Sequence, residues 1–181
     1  MKRILLICAL LVLPNSAYTA EKWRGTNVAA LTPPMQARLA KLKYLHGPRL
    51  APATFRDKIV VVTFFASWCP PCHVEFKHLK TIHAKYAKRG VRIIAINWFQ
   101  SWEGLGGPEK LQIFLERYDP PFAVVEGDKT TVRDFGNVTR IPTLLVFARD
   151  GKNGFHFVHR YKAKKTHVTL EEMEAAIKPL L

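Results

Sequence analysis

Cysteine is scarce in this sequence, and its scarcity limits what the chain can be. The 181 residues include three cysteines, Cys8, Cys69 and Cys72. Three cysteines cannot build the set of several disulfides that holds small secreted domains together. A structural zinc site usually takes four ligands from two separated pairs, whereas this chain has one close pair, Cys69 and Cys72. A disulfide framework is therefore excluded, and a structural zinc site is disfavoured.

Long apolar runs are also missing. The run from Ile4 to Leu13 is too short to cross a bilayer as a helix, which needs about 20 apolar residues. It follows Lys2 and Arg3 and precedes a Pro/Asn/Ser break with small residues, which is the order of regions in a secretory signal. We predict a signal peptide over 1–20, an N-terminal extension over 21–50 and the main domain over 51–181. An uncleaved anchor stays open, because Tyr18 makes the cleavage site imperfect.

Acidic residues are few as well. The chain has 14 Asp and Glu against 28 Lys and Arg, a net charge of +14. Such a balance describes a solvated surface or one that attracts acidic partners or anionic lipid head groups, including a peripheral membrane association. Nucleic acid is not expected, because export predicts a periplasmic or other extracytoplasmic location. That compartment is oxidising, so thiols stay reduced there only if a reductant recharges them.

What the chain does contain is an alternation of buried strands and amphipathic helices. The apolar run 58–65, the helical pattern 74–88 and the apolar run 91–96 form a strand–helix–strand unit with a parallel crossover. The fold class predicted is α/β, with a mixed central sheet and helices on both faces. The remaining predicted elements are helices at 35–45, 108–118, 130–136 and from 169 onwards, and strands at 122–126, 143–148 and 155–161.

The cysteine pair lies between a buried strand and the start of a helix. Unpaired N–H groups and the positive end of the helix dipole favour a thiolate at Cys69 there. Cys72, one turn inside the helix, can then attack the Cys69 sulfur and resolve a mixed disulfide. Transient copper(I) binding with His73 is an alternative. A purely structural disulfide closing so short a loop would remove little unfolded-state entropy.

The motifs resemble a known group of proteins. "FFASWCPPC", followed by "RIPTLLVF" and a "DGK" turn, is similar to the thioredoxin superfamily and, more narrowly, to the exported TlpA/ResA-like thioredoxins that include cytochrome c maturation proteins. The resemblance covers about residues 55–181. It implies a thioredoxin fold with a central inserted helix after an N-terminal extension, and so a thioredoxin-like domain over 51–181.

The resemblance also assigns roles to individual residues. It implies that Cys69 is the exposed attacking cysteine and Cys72 the resolving one. Pro142 occupies the family's cis-proline position, in a turn that presents backbone groups to an extended client by strand addition. The client-binding residues implied are Trp68, Pro70, Ile141, Pro142 and Thr143.

A carboxyl group near the pair is the third catalytic candidate. Glu75 lies three residues after Cys72, where the resemblance implies a role in proton transfer, and burial would raise its pKa. The alternative is an ordinary first-turn acid at a helix N-terminus. Thioredoxins carry a buried Asp at the position that Thr63 occupies here. A threonine cannot take up a proton near neutral pH, so Glu75 is left as the candidate for proton transfer. The aromatic loop 97–107, with Trp98, Phe99 and Trp102, is interpreted as packing or as a determinant of partner choice.

The function predicted is an exported thiol–disulfide oxidoreductase that reduces disulfides in client proteins. Apocytochrome c and copper-site assembly proteins are the clients considered, and a membrane-bound thiol reductant is the expected electron donor. The alternatives are a disulfide donor or isomerase, and a copper-handling binding protein. We expect a monomer with no resident cofactor or metal.

Overall fold

The computed structural model describes residues 28–159 and 164–181, so the predicted signal peptide lies outside the described residues. Six strands in the described ranges form one sheet in the order β1-β4-β3-β2-β5-β6. The strands are β1 (Tyr44–His46), β2 (Ile59–Phe65), β3 (Val91–Asn97), β4 (Ala123–Glu126), β5 (Thr143–Phe147) and β6 (Asn153–Val158).

The centre of the sheet is parallel and its margins are antiparallel. β2, β3 and β4 run parallel, while β5 pairs antiparallel with β2, β6 with β5 and β1 with β4. Every residue of β2 is buried, as expected for a continuous apolar run in a parallel sheet covered on both faces. The predicted mixed sheet is therefore confirmed.

Helices cover both faces of this sheet. They are α1 (Pro33–Leu39), α2 (Pro70–Tyr86), α3 (Pro108–Tyr118), α4 (Lys129–Asp134) and α5 (Leu170–Ile177). The predicted capping box is confirmed at the start of α5, where Thr169 and Glu172 each bond to the other's backbone N–H. Proline opens α1, α2 and α3, where the missing N–H costs least.

Successive residues of β2 point to opposite faces. Phe65 contacts Phe76 of α2 and Phe114 of α3, with ring centroids 4.6 and 5.3 Å away. Phe64 contacts Phe135, just after α4, at 5.4 Å. One face therefore carries α2 and α3, and the other carries α4. By the same alternation, Thr63 points towards α2.

The prediction of a helix over 35–45 is wrong in its second half. α1 ends at Leu39, and Tyr44–His46 form the edge strand β1 against β4. The free edge of β4 offers backbone donors and acceptors that the chain satisfies by pairing, as the Glu126 N–H bond to the Lys43 carbonyl shows. Tertiary pairing thus overrides a local helical pattern.

Three segments meet at one end of the sheet. β2 ends at Phe65, immediately before the cysteine loop, and its last residue pairs with Asn97 at the end of β3. Thr143, the first residue of β5, pairs with Phe64, so Pro142 lies at the same end.

Within the described ranges, no helix has the length and apolar character needed to cross a bilayer.

Candidate active site

Cys69 and Cys72 form a disulfide at the start of α2. Cys69 is the N-cap residue of the helix, and its sulfur accepts a bond of 3.3 Å from the Cys72 N–H. The predicted place of Cys69 at a helix N-terminus is confirmed. Cys69 is 3% exposed and Cys72 1%, while Pro70 between them is exposed. Both cysteines are thus buried in the disulfide form, unlike the exposed Cys69 that the resemblance implied, and Cys69 is the slightly more exposed of the two.

The Ile141–Pro142 peptide bond is cis, as predicted. The N–H and C=O groups of Ile141 make no backbone hydrogen bond within the described part of the chain. Thr143 is buried and its hydroxyl donates to the Arg140 carbonyl at 2.8 Å, which folds the turn back on itself. The sheet register places this turn at the end of the sheet that carries the cysteine loop.

Glu75 faces the interior of the protein. It is 1% exposed and continues the apolar stripe of α2, between Cys72 and Phe76. Residues three apart on a helix share a face, with Cβ atoms about 5–6 Å apart, so the Glu75 carboxyl lies on the Cys72 side. Burial raises the pKa of Glu75 from 4.5 to about 7, although a hydrogen bond from Thr63 opposes the rise. The alternative of a solvent-facing first-turn acid does not hold.

Thr63 has a role that the sequence did not reveal. Its hydroxyl donates to Glu75 Oε1 at 2.5 Å, while Oε2 is buried with no hydrogen-bond partner among the described residues. Thr63 holds one carboxyl oxygen and leaves the other free. A polar residue inside the apolar run "VVTFF" was the available signal, because a buried hydroxyl needs a partner.

Ser67 anchors the loop that leads to the cysteines. Its N–H donates to Gln100 Oε1 at 3.0 Å, and its hydroxyl accepts from Gln100 Nε2 at 2.6 Å. Its carbonyl accepts from His73 Nε2 at 2.7 Å, and His73 Nδ1 bonds to the Tyr118 hydroxyl at 2.9 Å. Both His73 ring nitrogens are thus engaged, which disfavours His73 as the copper ligand. Sequence reasoning missed Gln100 and Tyr118, because only the fold brings them to Ser67.

The aromatic loop 97–107 lies against Trp68. The Trp68 indole N–H donates to the Phe99 carbonyl at 2.8 Å, and the rings of Trp68 and Trp102 have centroids 5.4 Å apart. The loop therefore packs against the residue that precedes Cys69.

No group of three or more His, Cys, Asp or Glu residues in the described ranges is arranged to hold a metal ion.

Comparison with known proteins agrees with this architecture. The model of the AhpC/TSA family matches residues 34–152, so the chain belongs to that family. Among curated proteins, thiol-disulfide oxidoreductase ResA of Geobacillus kaustophilus is 28% identical over 153 residues, which cover 84% of this chain and 82% of ResA. ResA of Bacillus thuringiensis is 27% identical over 136 residues, covering 75% and 72%.

Solved structures share the fold. A secreted disulfide oxidoreductase of Mycobacterium tuberculosis superposes with a TM-score of 0.61 at 20% identity, covering 80% of this chain and 98% of its own. The predicted thioredoxin fold and ResA-like resemblance are confirmed. The class is thus a thioredoxin-fold thiol–disulfide oxidoreductase, and its Cys69–Cys72 pair forms a disulfide.

Proposed function

We propose that this protein is an exported reductase that transfers two electrons from the Cys69–Cys72 dithiol to disulfides in client proteins. The observation that carries the proposal is the disulfide at the start of α2 with the buried Glu75 carboxyl one turn further along the helix. A buried acid with a pKa of about 7 can exchange a proton with a thiol near neutral pH. A surface acid of ordinary pKa would be too weak a base.

The reaction proceeds in two exchanges. The Cys69 thiolate attacks one sulfur of the client disulfide, forms a Cys69–client disulfide and releases the other client sulfur as a thiolate, which takes up a proton. Cys72 then loses its proton and attacks the Cys69 sulfur. The second client sulfur leaves as a thiolate that takes up a proton, and the protein is left with its own disulfide. The client gains two electrons and two protons, and the protein loses the same number of each.

Glu75 is the proposed base for the second exchange. Its carboxylate accepts the Cys72 proton when the thiol attacks, and a thiol buried as deeply as Cys72 needs such a base because burial disfavours its thiolate. The hydrogen bond from Thr63 to Oε1 directs the unpaired Oε2 away from the strand. Thr63 is therefore a positioning residue for Glu75.

Clients are proposed to bind as an extended segment beside the cis-proline turn. The N–H and C=O groups of Ile141, which make no backbone hydrogen bond among the described residues, would pair with the client backbone, as in strand addition. Pro142 and Thr143 hold this turn, and Trp68 and Pro70 form the opposite rim. Apocytochrome c and copper-site assembly proteins fit as clients, because each presents paired cysteines in an extracytoplasmic compartment.

The proposed location is periplasmic or otherwise extracytoplasmic, with the protein acting as a monomer. A membrane-bound thiol reductant would restore the dithiol, since the compartment itself is oxidising. The basic chain would favour a peripheral position at an anionic membrane.

Trapping tests the proposal directly. Cys72→Ala leaves the Cys69 mixed disulfide unresolved, so client proteins should accumulate on Cys69 in the native compartment, and Cys69→Ala/Cys72→Ala is the matched control. A measured reduction potential tests the direction of electron flow. A value near the −120 mV of strong oxidants would overturn the reductase assignment in favour of a disulfide donor.

A further inference from the structure

We infer that Trp68 and Trp102 form a two-indole platform that binds an apolar side chain next to the client's cysteine. The platform is defined by these two rings, whose centroids are 5.4 Å apart. The inference rests on the proposed function and adds a specificity determinant that lies in loop 97–107.

Trp102 lies at the surface next to the reactive pair. It is 49% exposed, although a tryptophan is normally buried, and it leans on Trp68, the residue that precedes Cys69. Leu105, one short helical turn further on, is also exposed. Trp98 and Phe99 of the same loop instead pack against the core. Of the three aromatic residues of the loop, Trp102 is therefore the one that faces solvent.

The backbone of the loop is shaped to hold this arrangement. Phe99 and Glu103 adopt φ values of 62° and 48°, in the left-handed region that non-glycine residues seldom occupy. A Cβ on Gly106 would meet Trp68 Cδ1 at 2.6 Å and the Gln100 carbonyl oxygen at 2.0 Å. Only glycine permits so close an approach to the Trp68 ring.

Gln100 fastens the loop to the cysteine segment. Besides its two bonds to Ser67, its Oε1 accepts from Asn97 Nδ2 at 2.9 Å and its Nε2 donates to the Gly107 carbonyl at 3.0 Å. All four hydrogen-bonding positions of the amide are therefore used. Such a saturated amide fixes Trp68 and Trp102 relative to Cys69, so Gln100 is a positioning residue for the platform.

The site itself selects the occupant. Cys69 is 3% exposed, so a client can present its sulfur only if the residues beside its cysteine lie across the rim. The flat indole faces on that rim match an aromatic or aliphatic side chain. Exposed Leu105, whose N–H donates to the Trp102 carbonyl at 2.9 Å, extends the apolar surface beside the indoles, which favours an apolar side chain over a cationic one. An apolar neighbour of the client cysteine is therefore the favoured partner.

The test compares two disulfide-linked peptides that differ only beside the cysteine, one with leucine and one with serine. We expect the wild-type dithiol to show a lower KM for the leucine peptide. Trp102→Ala should raise that KM roughly threefold to tenfold, the size expected for an aromatic contact. It should leave kcat and the reduction of hydroxyethyl disulfide unchanged. Ile113→Ala, which trims an exposed apolar residue of α3, is the matched control.

A second variant tests the positioning role of Gln100. Gln100→Leu should raise the KM for the leucine peptide as Trp102→Ala does, and change the tryptophan fluorescence of the folded protein. Gln100→Glu, which keeps the two acceptor contacts, should lie between it and wild type.

Equal KM values for the two peptides, or a Trp102→Ala protein that matches wild type, would overturn the platform. An equal loss of activity towards hydroxyethyl disulfide would also overturn it, because the effect would then lie at the sulfurs. If the wild-type dithiol reduced neither peptide nor the small disulfide, the proposed function itself would fail.

Discussion

Two glutamates, one on α2 and one on α5, have opposite properties. Glu75 on α2 is buried, and one of its oxygens has no hydrogen-bond partner among the described residues. Glu174 on α5 is half-buried beneath two exposed lysines and binds Lys85 at 2.7 Å and Lys178 at 2.9 Å. Burial raises the pKa of Glu75 to about 7, whereas hydrogen bonds from the two lysines lower the pKa of Glu174 to about 2.

The difference shows how a lysine-rich protein can hold the pKa of one acid near neutral pH. At the surface, abundant lysines hold a carboxylate in its charged form, and it cannot take up a proton near neutral pH. Glu75 is the only acidic or basic side chain among the buried polar residues of the described ranges, and its side-chain hydrogen bond comes from a neutral hydroxyl. Burial away from cations therefore gives Glu75 the near-neutral pKa that the proposed proton acceptor needs.

The largest expected effect follows from removing the reactive acid. Glu75→Gln should slow the attack of Cys72 on a preformed Cys69 mixed disulfide about 100-fold at pH 7, the usual contribution of a general base. The wild-type rate should rise as pH passes through about 7, where Glu75 becomes a carboxylate, and the variant should lack this inflection. Stopped-flow measurement of the released thiol follows the step. Glu174→Gln is the matched control, and similar rates for the two variants would contradict the assignment.

The second effect is on stability. Because the folded-state pKa of Glu75 lies above its unfolded value, its contribution is complete below pH 4.5 and is lost as pH rises through about 7. The rise from 4.5 to about 7 corresponds to about 3 kcal/mol. The free energy of unfolding of oxidised Glu75→Gln, relative to wild type, should therefore increase by about 3 kcal/mol between pH 4.5 and 8. Urea unfolding at several pH values measures it, and a constant difference would refute the raised pKa.

The fold and the redox pair could be read from the sequence because their signals are local. The burial of α2 follows its helical spacing, and continuing that stripe backwards from Phe76 reaches Cys72. The edge strand β1 could not be foreseen, since it depends on the free edge of β4 rather than on its own three residues. The bonds from Thr63 to Glu75 and from Gln100 to Ser67 join residues far apart in the chain, so only the fold reveals them. The domain boundary at residue 51 stays a prediction.

A smaller effect is expected when the hydrogen bond from the Thr63 side chain to Glu75 is removed. The Thr63 hydroxyl stabilises the carboxylate, so Thr63→Val should raise the pKa of Glu75 further. The inflection in the rate of Cys72 attack should move to higher pH, and the rate at pH 7 should fall by about threefold to tenfold. Thr131→Val, which removes a buried hydroxyl from α4 on the opposite face, is the matched control. An unmoved inflection in Thr63→Val would show that the hydroxyl does not act on the proton transfer.

The smallest effect is expected at the other glutamate. Because the folded-state pKa of Glu174 lies below its unfolded value, its contribution is present above pH 4.5 and is lost as pH falls towards 2. Solvent and salt screen exposed ion pairs, so Glu174→Gln should lower the unfolding midpoint only slightly at pH 7, and added salt should shrink the difference. Thermal unfolding at low and high ionic strength checks this. A large loss in the unfolding midpoint that salt does not reduce would contradict the screened ion pairs. The two glutamates would then differ only in the direction in which their pKa values are shifted.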